Sequence, residues 1–595
     1  MKTSKDGLKY DEAALLQRIV KDYAFAKRER ETHVVDWQKA RDQFDCKWNE
    51  LEKTQDDEEL KQWFYVPKTL MTIHRLECEL LMHFFGPEQT KLGKTTPRVK
   101  AKEIADASQI VDEILHAKVD GELRPALYFP DSWHGALVEG DGVLKAGWDE
   151  ETNSPRLEYV PNEHCCWDPY ALSDAKITFF IHEVWLTDNE LWERQQAGIY
   201  DNRDAVIAAS RTDDKNLDEW RREIAGPGNE RQYLHKVVEF WGPQQLASDE
   251  RVDKAHAKGK HIPAVDILAT MYGDRYLLRV RKNKYAELMD NPTPFEKLPF
   301  FKAEALPKTN STRGHQLVLW LRPIQRETNL TRNQRRQAVD MEMTRKTYYD
   351  ENRLTNLKAM DAARYGGRVP TNGPPRDVIY DTAPQTSTDN MVQEEAMLDK
   401  EFQDVSGVTG MHLGTPEPGI TRTATGATLA TSRGDVKIDT IIQNIALTGV
   451  IPVLEFFAAC ALEYVSPEEV QAIIQSEEPP PASFKGLIRN KYAIGVEAGP
   501  SATSRNAQIQ QVQAAIAAQA QAAQAAPGPA IATLTVLNAR LLRLLGHDDL
   551  AQYWQMVEQG QGMAPGGQQQ GMPNTENNAA MAQQGRMPTP QEVRR

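Results

Sequence analysis

The sequence predicts a helix-rich mixed α/β fold. Three observations predict it: long stretches of helical-period apolar residues towards both ends of the chain, short β-branched and aromatic segments between about residues 140 and 305, and Gly/Pro-rich breaks between these regions. From Asp11 to about Leu60, residues Leu15, Leu16, Ile19, Val20 and Tyr23 recur at helical spacing, and Trp37, Phe44 and Trp48 continue the stripe. Further helices are expected over Thr69–Phe85, Ala105–His116 and Asp131–Asp141, the last running into a turn at Gly140. Strands are expected at Val143–Trp148, Leu157–Val160, Ile177–Leu186, Tyr233–Trp241, Val265–Met271 and Arg275–Val280. Tyr272-Gly273-Asp274 reads as the hairpin turn between the last two. A charged helical insertion covers Asp188–Arg222.

The second half is read the same way. One helix is expected over Gly314–Tyr349, with Pro323 marking a start or a kink. Arg364–Pro375 is a Gly/Pro loop, Val378–Tyr380 a short strand and Met391–Val405 a helix. A Gly/Pro/Thr loop from Gly407 to Arg422 leads into a long helix, Ala424–Val465, bent near Gly449 and Pro452. Tyr492–Val496 is a strand, and Ala502–Ala526 and Ala530–Met556 are helices separated by Pro527-Gly528-Pro529. Beyond Gly560 the chain is Gln, Gly, Asn, Met and Pro, which bury too little apolar surface to order themselves.

The 595 residues carry a formal charge of −14 and a mean hydropathy of −0.59. A protein that coats nucleic acid is usually basic, so contact with DNA would rest on a local basic surface. Five scattered cysteines (Cys46, Cys78, Cys165, Cys166 and Cys460) do not form a disulfide framework and suit a reducing cytoplasm. The first ten residues are charged and lack the apolar core of a secretory signal. Ile441–Val465 has the length of a membrane span, but Gln443, Asn444, Pro452 and Glu455 favour a buried helix of a large assembly, and no membrane partner is expected.

Gly93-Lys94-Thr95 imitates the end of a phosphate-binding loop. The glycine needed five positions before Gly93 is instead Glu88, and Pro97 blocks the helix that should follow. Cys165 and Cys166, adjacent in a strand, should point to opposite faces and serve as packed thiols, not as metal ligands. No nucleophile–base pattern, carboxylate pair or dinucleotide motif stands out, so neither an enzyme nor a cofactor is expected. One segment departs from the general acidity. Between Arg322 and Lys346 seven basic residues (Arg322, Arg326, Arg332, Arg335, Arg336, Arg345, Lys346) face three acidic ones (Glu327, Asp340, Glu342). Arg322 and Arg326, and likewise Arg332 and Arg336, are four apart and share a helix face. Without interleaved aromatics, such a surface suits sequence-blind contact with a duplex backbone. A solvated helix face is the plainer reading of the same charges.

The order of elements resembles the portal proteins, or head-to-tail connectors, of tailed bacteriophages, closest to the short-tailed type. The matching parts begin with Leu298-Pro299-Phe300-Phe301 and a helix carrying Gln325, Asn329, Gln334 and Asp340. A Gly/Pro-rich projection, a second helix and a loop follow, then Arg422-Thr423-Ala424-Thr425 opening a long helix. Gly426 and Ala427 follow where the family usually has an acid. The resemblance implies a wing (1–313 and 423–500), stem helices (314–346 and 391–405), a clip (347–390), a tunnel loop (406–422), crown helices (501–559) and a disordered tail (560–595). It implies a dodecameric ring at the portal vertex of the virion, assembled in the host bacterial cytoplasm. Genomic double-stranded DNA would be packaged through the ring by the terminase and later ejected. The partners implied are the terminase large subunit, head-completion or tail adaptor proteins, and major capsid and scaffolding proteins. DNA would be faced by Arg322, Arg326, Arg332, Arg335, Arg336, Thr409, His412 and Arg422. The alternative is another virion structural protein, an internal-core or tail component. A terminase subunit would need the phosphate loop that this chain lacks.

Overall fold

The computed structural model describes residues 2–47, 64–86, 91–98, 101–202, 234–273, 275–289, 292–343, 346–350, 371–382, 388–408, 436–475 and 491–496, with isolated positions at 352, 358, 512–517, 519, 536–538, 540 and 541. The chain divides into two units, Met1–Thr503 and Ser504–Arg595. In the second, the described residues are helical.

The first unit opens with paired two-residue strands, β1 (Lys2–Thr3) and β2 (Lys9–Tyr10). Helix α1 (Glu12–Phe44) starts where the Asp11 side chain accepts from the Ala14 amide, and it buries Leu15, Ile19, Tyr23 and Ala26 along one stripe. Next come α2 (Lys68–Phe85), β3 (Lys94–Pro97) and α3 (Lys102–Leu115). The last continues into a π-helix, His116–Leu123, closed by Arg124 at φ 54°. Helix α4 (Phe129–Val138) then leads into β4 (Gly142–Asp149). The strands β5 (Ser154–Val160), β6 (Cys165–Trp167) and β7 (Phe180–Thr187) follow, then α5 (Asp188–Gln196), β8 (Leu234–Gln244) and α6 (Asp249–His256). The hairpin β9 (Val265–Tyr272) and β10 (Tyr276–Lys282) turns at Gly273, as expected, and β11 is Phe300–Ala303.

The strands form two antiparallel sheets, β10-β9-β8-β7-β6 and β11-β4-β5. Both faces of the five-stranded sheet are buried. Period-two alternation sends Cys166, Ile181, Phe240 and Ile267 to a core shared with α1. Their neighbours Cys165, Phe180, Trp241 and Leu268 enter the larger core under the three-stranded sheet. Phe180 stacks on Phe300 across the sheets at 4.1 Å, and Lys145 of β4 reaches Glu239 of β8 at 2.7 Å.

Helix α7 (Leu317–Met343) runs through Pro323 without ending. It stops before the expected boundary at Tyr349: Lys346–Tyr349 is instead strand β12, paired with β13 (Ile379–Thr382). Thr347, Tyr348 and Tyr349 favour extended backbone and find partners in Asp381, Tyr380 and Ile379 of a strand further along the chain. Helix α8 (Thr388–Ser406) follows, then α9 (Val436–Tyr464), α10 (Pro467–Ile474) and β14 (Tyr492–Gly495). Helix α9 is apolar and long enough to cross a bilayer, yet over half of its most apolar stretch is buried, with Val453, Leu454, Phe456 and Phe457 in the larger core. It widens to a π turn at Ala446–Val450, where Gly449 sits so close to Ala303 that a Cβ would lie 2.7 Å from its methyl. β14 pairs with β3 and ties the late chain to its beginning.

A buried charge network fixes the start of α7. Lys302 of β11 is fully buried, 2.8 Å from both Asp174 and Glu304 and 3.7 Å from Asp141, and it donates to the Thr312 carbonyl. Its ammonium lies 4.9 Å from the centre of the Trp167 ring. Arg313 lies over the same ring at 3.8 Å and pairs with Glu29 of α1 at 3.1 Å and Asp141 at 3.5 Å. The Gly314 amide donates to Asp141 at 3.0 Å. Burial pushes Glu304 up to about 7, with Asp141 and Asp174 adding to the shift and Lys302 opposing it.

Lys302→Met leaves buried carboxylates unpaired and is expected to cost about 3–5 kcal/mol, read as a lower urea midpoint. Glu304 holds its proton in the fold at pH values where the unfolded chain has lost it. Its contribution is complete below pH 4.5 and is lost as pH rises to about 7. Glu304→Gln should therefore flatten the fall in stability across that window, measured by urea titrations at pH 5 and pH 7.5.

Candidate functional site

Residues Gln325, Asn329 and Asn333 of α7 are spaced four apart, so their side chains form one row, and all three are buried. The segment 64–67, which leads into α2, lies along this row and exchanges backbone hydrogen bonds with it. The Phe64 amide donates to Asn333 Oδ1 and Asn333 Nδ2 donates back to the Phe64 carbonyl, both at 2.9 Å. The Val66 amide donates to Asn329 Oδ1 at 2.9 Å, and Gln325 Nε2 donates to the Val66 carbonyl at 2.6 Å. The Thr69 amide and hydroxyl close the row on Gln325 Oε1 at 3.1 and 3.0 Å. A partly buried backbone segment without a strand neighbour is thus satisfied by amide side chains.

Helix α8 packs on α7, and its Leu398 and Phe402 are buried. Arg335 pairs with Glu395 of α8 at 3.0 Å, and Lys68 pairs with Asp399 beside the Phe402 ring. Arg326, Arg332 and Arg336 are exposed, while Arg322 and Arg335 are half-buried. Arg332, Arg335 and Arg336 border a groove of about 350 Å³ together with Phe64 and Val339, both well exposed.

Thr409, His412 and Arg422 lie outside the described residues, as does most of 347–390. Both ends of the segment that holds them are placed. Gly407, at φ 78°, terminates α8 with its amide on the Gln403 carbonyl at 2.8 Å. Lys437, at the start of α9, donates to the Asp404 carbonyl, so the chain leaves and returns at one point.

The remaining motifs have structural roles. Thr95 sits in β3, its amide on Asp112 Oδ1 at 2.9 Å and its hydroxyl on the Ser108 carbonyl at 2.7 Å, and Gly93 packs against Leu454. These donors face a carboxylate and a carbonyl, which leaves no cradle for phosphate. Cys165 and Cys166 do point to opposite cores, and burial pushes the Cys166 thiol up to about 12. Among the described residues no three His, Cys, Asp or Glu side chains gather as a metal site. Of the polar residues singled out in the sequence, Gln325 and Asn329 join the row and Gln334 is exposed, while Asn333 joins it without having been singled out. The four-residue spacing of the three amides was the available signal.

The family model for the phage SU10 portal protein matches residues 147–591, well over half of the chain. The chain belongs to the phage SU10 portal protein family. It is a structural component of a phage virion, and the short-tailed type expected from the sequence fits this family. No curated protein matches the chain. A chain from the structure described as the virion of native gene transfer agent (GTA) particle aligns at 10% identity with a TM-score of 0.31, covering 78% of this chain and 92% of that one.

In this portal chain Asn329→Leu removes the acceptor of the Val66 amide. A partly buried amide that loses its partner gives up about 1 kcal/mol or more, so hydrogen exchange at the Val66 amide should accelerate several-fold. Gln334→Leu should leave the same amide unchanged.

Proposed function

We propose that this portal protein assembles as a dodecameric ring at one vertex of the capsid, enclosing the channel through which genomic double-stranded DNA is packaged and later ejected. The family match over residues 147–591 carries the reading. Its architecture supports it: two packed helices, α7 and α8, lead to a segment whose ends are pinned together between Gly407 and Lys437. In this reading α7 and α8 are the stem (314–346 and 391–405), and 406–422 is the tunnel loop. Residues 347–390 form the clip, 501–559 the crown, and 1–313 with 423–500 the wing. Residues 560–595, the expected tail, lie outside the described residues.

The ring acts without catalysis. A terminase large subunit docks on the clip and drives DNA inward, head-completion or tail adaptor proteins later take the same surface, and capsid and scaffolding proteins hold the wing. A net acidic chain lets duplex slide, while a few basic positions meet phosphate briefly. Arg322 and Arg326 near the start of α7, with Thr409, His412 and Arg422 in the loop, are the positions proposed to face DNA.

Negative-stain imaging with mass photometry tests the reading. Rings with a central channel of duplex width, at a mass near twelve chains, are expected. Monomers or small oligomers at every concentration, with and without capsid components, would overturn it in favour of an internal-core or tail component.

A further inference from the structure

We infer that the groove beside Phe64 and Val339 receives the acidic face of α8 from a second copy of this chain. The inference rests on the ring reading above and names the surfaces that close it. A head-to-tail ring needs two different faces on each copy that fit one another. The α7–α8 pair carries two such faces.

The first is the groove. Its apolar walls, Phe64 and Val339, are 44% and 39% exposed, large for hydrophobic side chains left to water. Arg332 and Arg336 stand exposed on its rim. An apolar floor between two cations suits an apolar side chain flanked by carboxylates better than it suits a phosphate backbone.

The second face has that composition. Glu394, Met397, Glu401 and Asp404 of α8 follow one another at spacings of three, four and three, which places them in one stripe. All four are exposed, and Met397, at the apolar centre of the stripe, is 62% exposed. Met397 and Asp404 lie across α8 from the buried Phe402, and Glu394 and Glu401 stand at the border of the packed face with their side chains exposed. The carboxylate that α8 offers to its own α7 is a different one, Glu395, already paired with Arg335. Charge and shape therefore pair the stripe of one copy with the groove of the next. Met397 enters between Phe64 and Val339, and Glu394 and Glu401 meet Arg332 and Arg336.

Two measurements on the full chain test this. Arg332→Glu/Arg336→Glu should raise the concentration needed for half-assembly by at least about tenfold, as should Glu394→Arg/Glu401→Arg, and combining the four changes should restore assembly. Separately, chains carrying Val339→Cys mixed with chains carrying Met397→Cys should form a disulfide-linked pair on mild oxidation, which the unaltered chain does not form. That link arises only between copies and needs no charge reversal to be tolerated by the fold. Rings that persist in both charge variants, together with no cross-link, would overturn the inference and leave the portal reading standing. An unaltered chain that forms no ring would overturn both.

Discussion

Lys302 brings a positive charge to a site fully shut off from water, and the fold is arranged to answer it. Removing an ammonium from water costs several kcal/mol, so its partners must be held in place before the site is worth forming. Those partners come from distant parts of the chain: Asp141 at the entrance to β4, Asp174 in the β6–β7 connection, Glu304 just beyond β11 and the Thr312 carbonyl before α7. Arg313 adds Glu29 of α1, and Trp167 of β6 takes both cations on its ring. One constraint therefore sets α1, both sheets and the turn that leads into α7 relative to one another. Gly140 and Gly314 meet at its edge, where a side chain on either would strike the other's backbone.

The second polar device works further along α7. A long helix beside an irregular segment ordinarily leaves that segment's amides and carbonyls unanswered. The row of Gln325, Asn329 and Asn333 answers them while keeping the helix close. Both devices fix direction better than apolar packing does, because a hydrogen bond fails when register slips. The groove with its arginine rim and the acidic stripe of α8 lie on elements held by these two devices.

Much of the fold was legible beforehand. The alternation that placed Cys165 and Cys166 on opposite faces is a property of any strand, and burial on both sides left it intact. The Gly273 turn and the strands on either side followed from turn chemistry. The end of α7 was misplaced because helical periodicity can run on across residues that a partner strand then claims, as Ile379 and Tyr380 claim Tyr349 and Tyr348. The π-helix at His116–Leu123 had no signal in residue type. Of the site, the surplus of charge on α7 was legible but its division was not. Arg335 is committed to Glu395 and two others to the groove with Phe64, because those neighbours lie far away along the chain.

The sequence by itself determined the class of fold, the order and approximate limits of most elements, the absence of a phosphate-binding loop at Gly93 and the family resemblance. Each of these is written in local pattern: period, turn residues and spacing. The tertiary structure decided which charges are buried and with whom, that the 64–67 segment is answered by amide side chains, and that the apolar helix from Val436 packs into the core. These depend on contacts between residues hundreds of positions apart, and such contacts exist only once the chain has closed on itself.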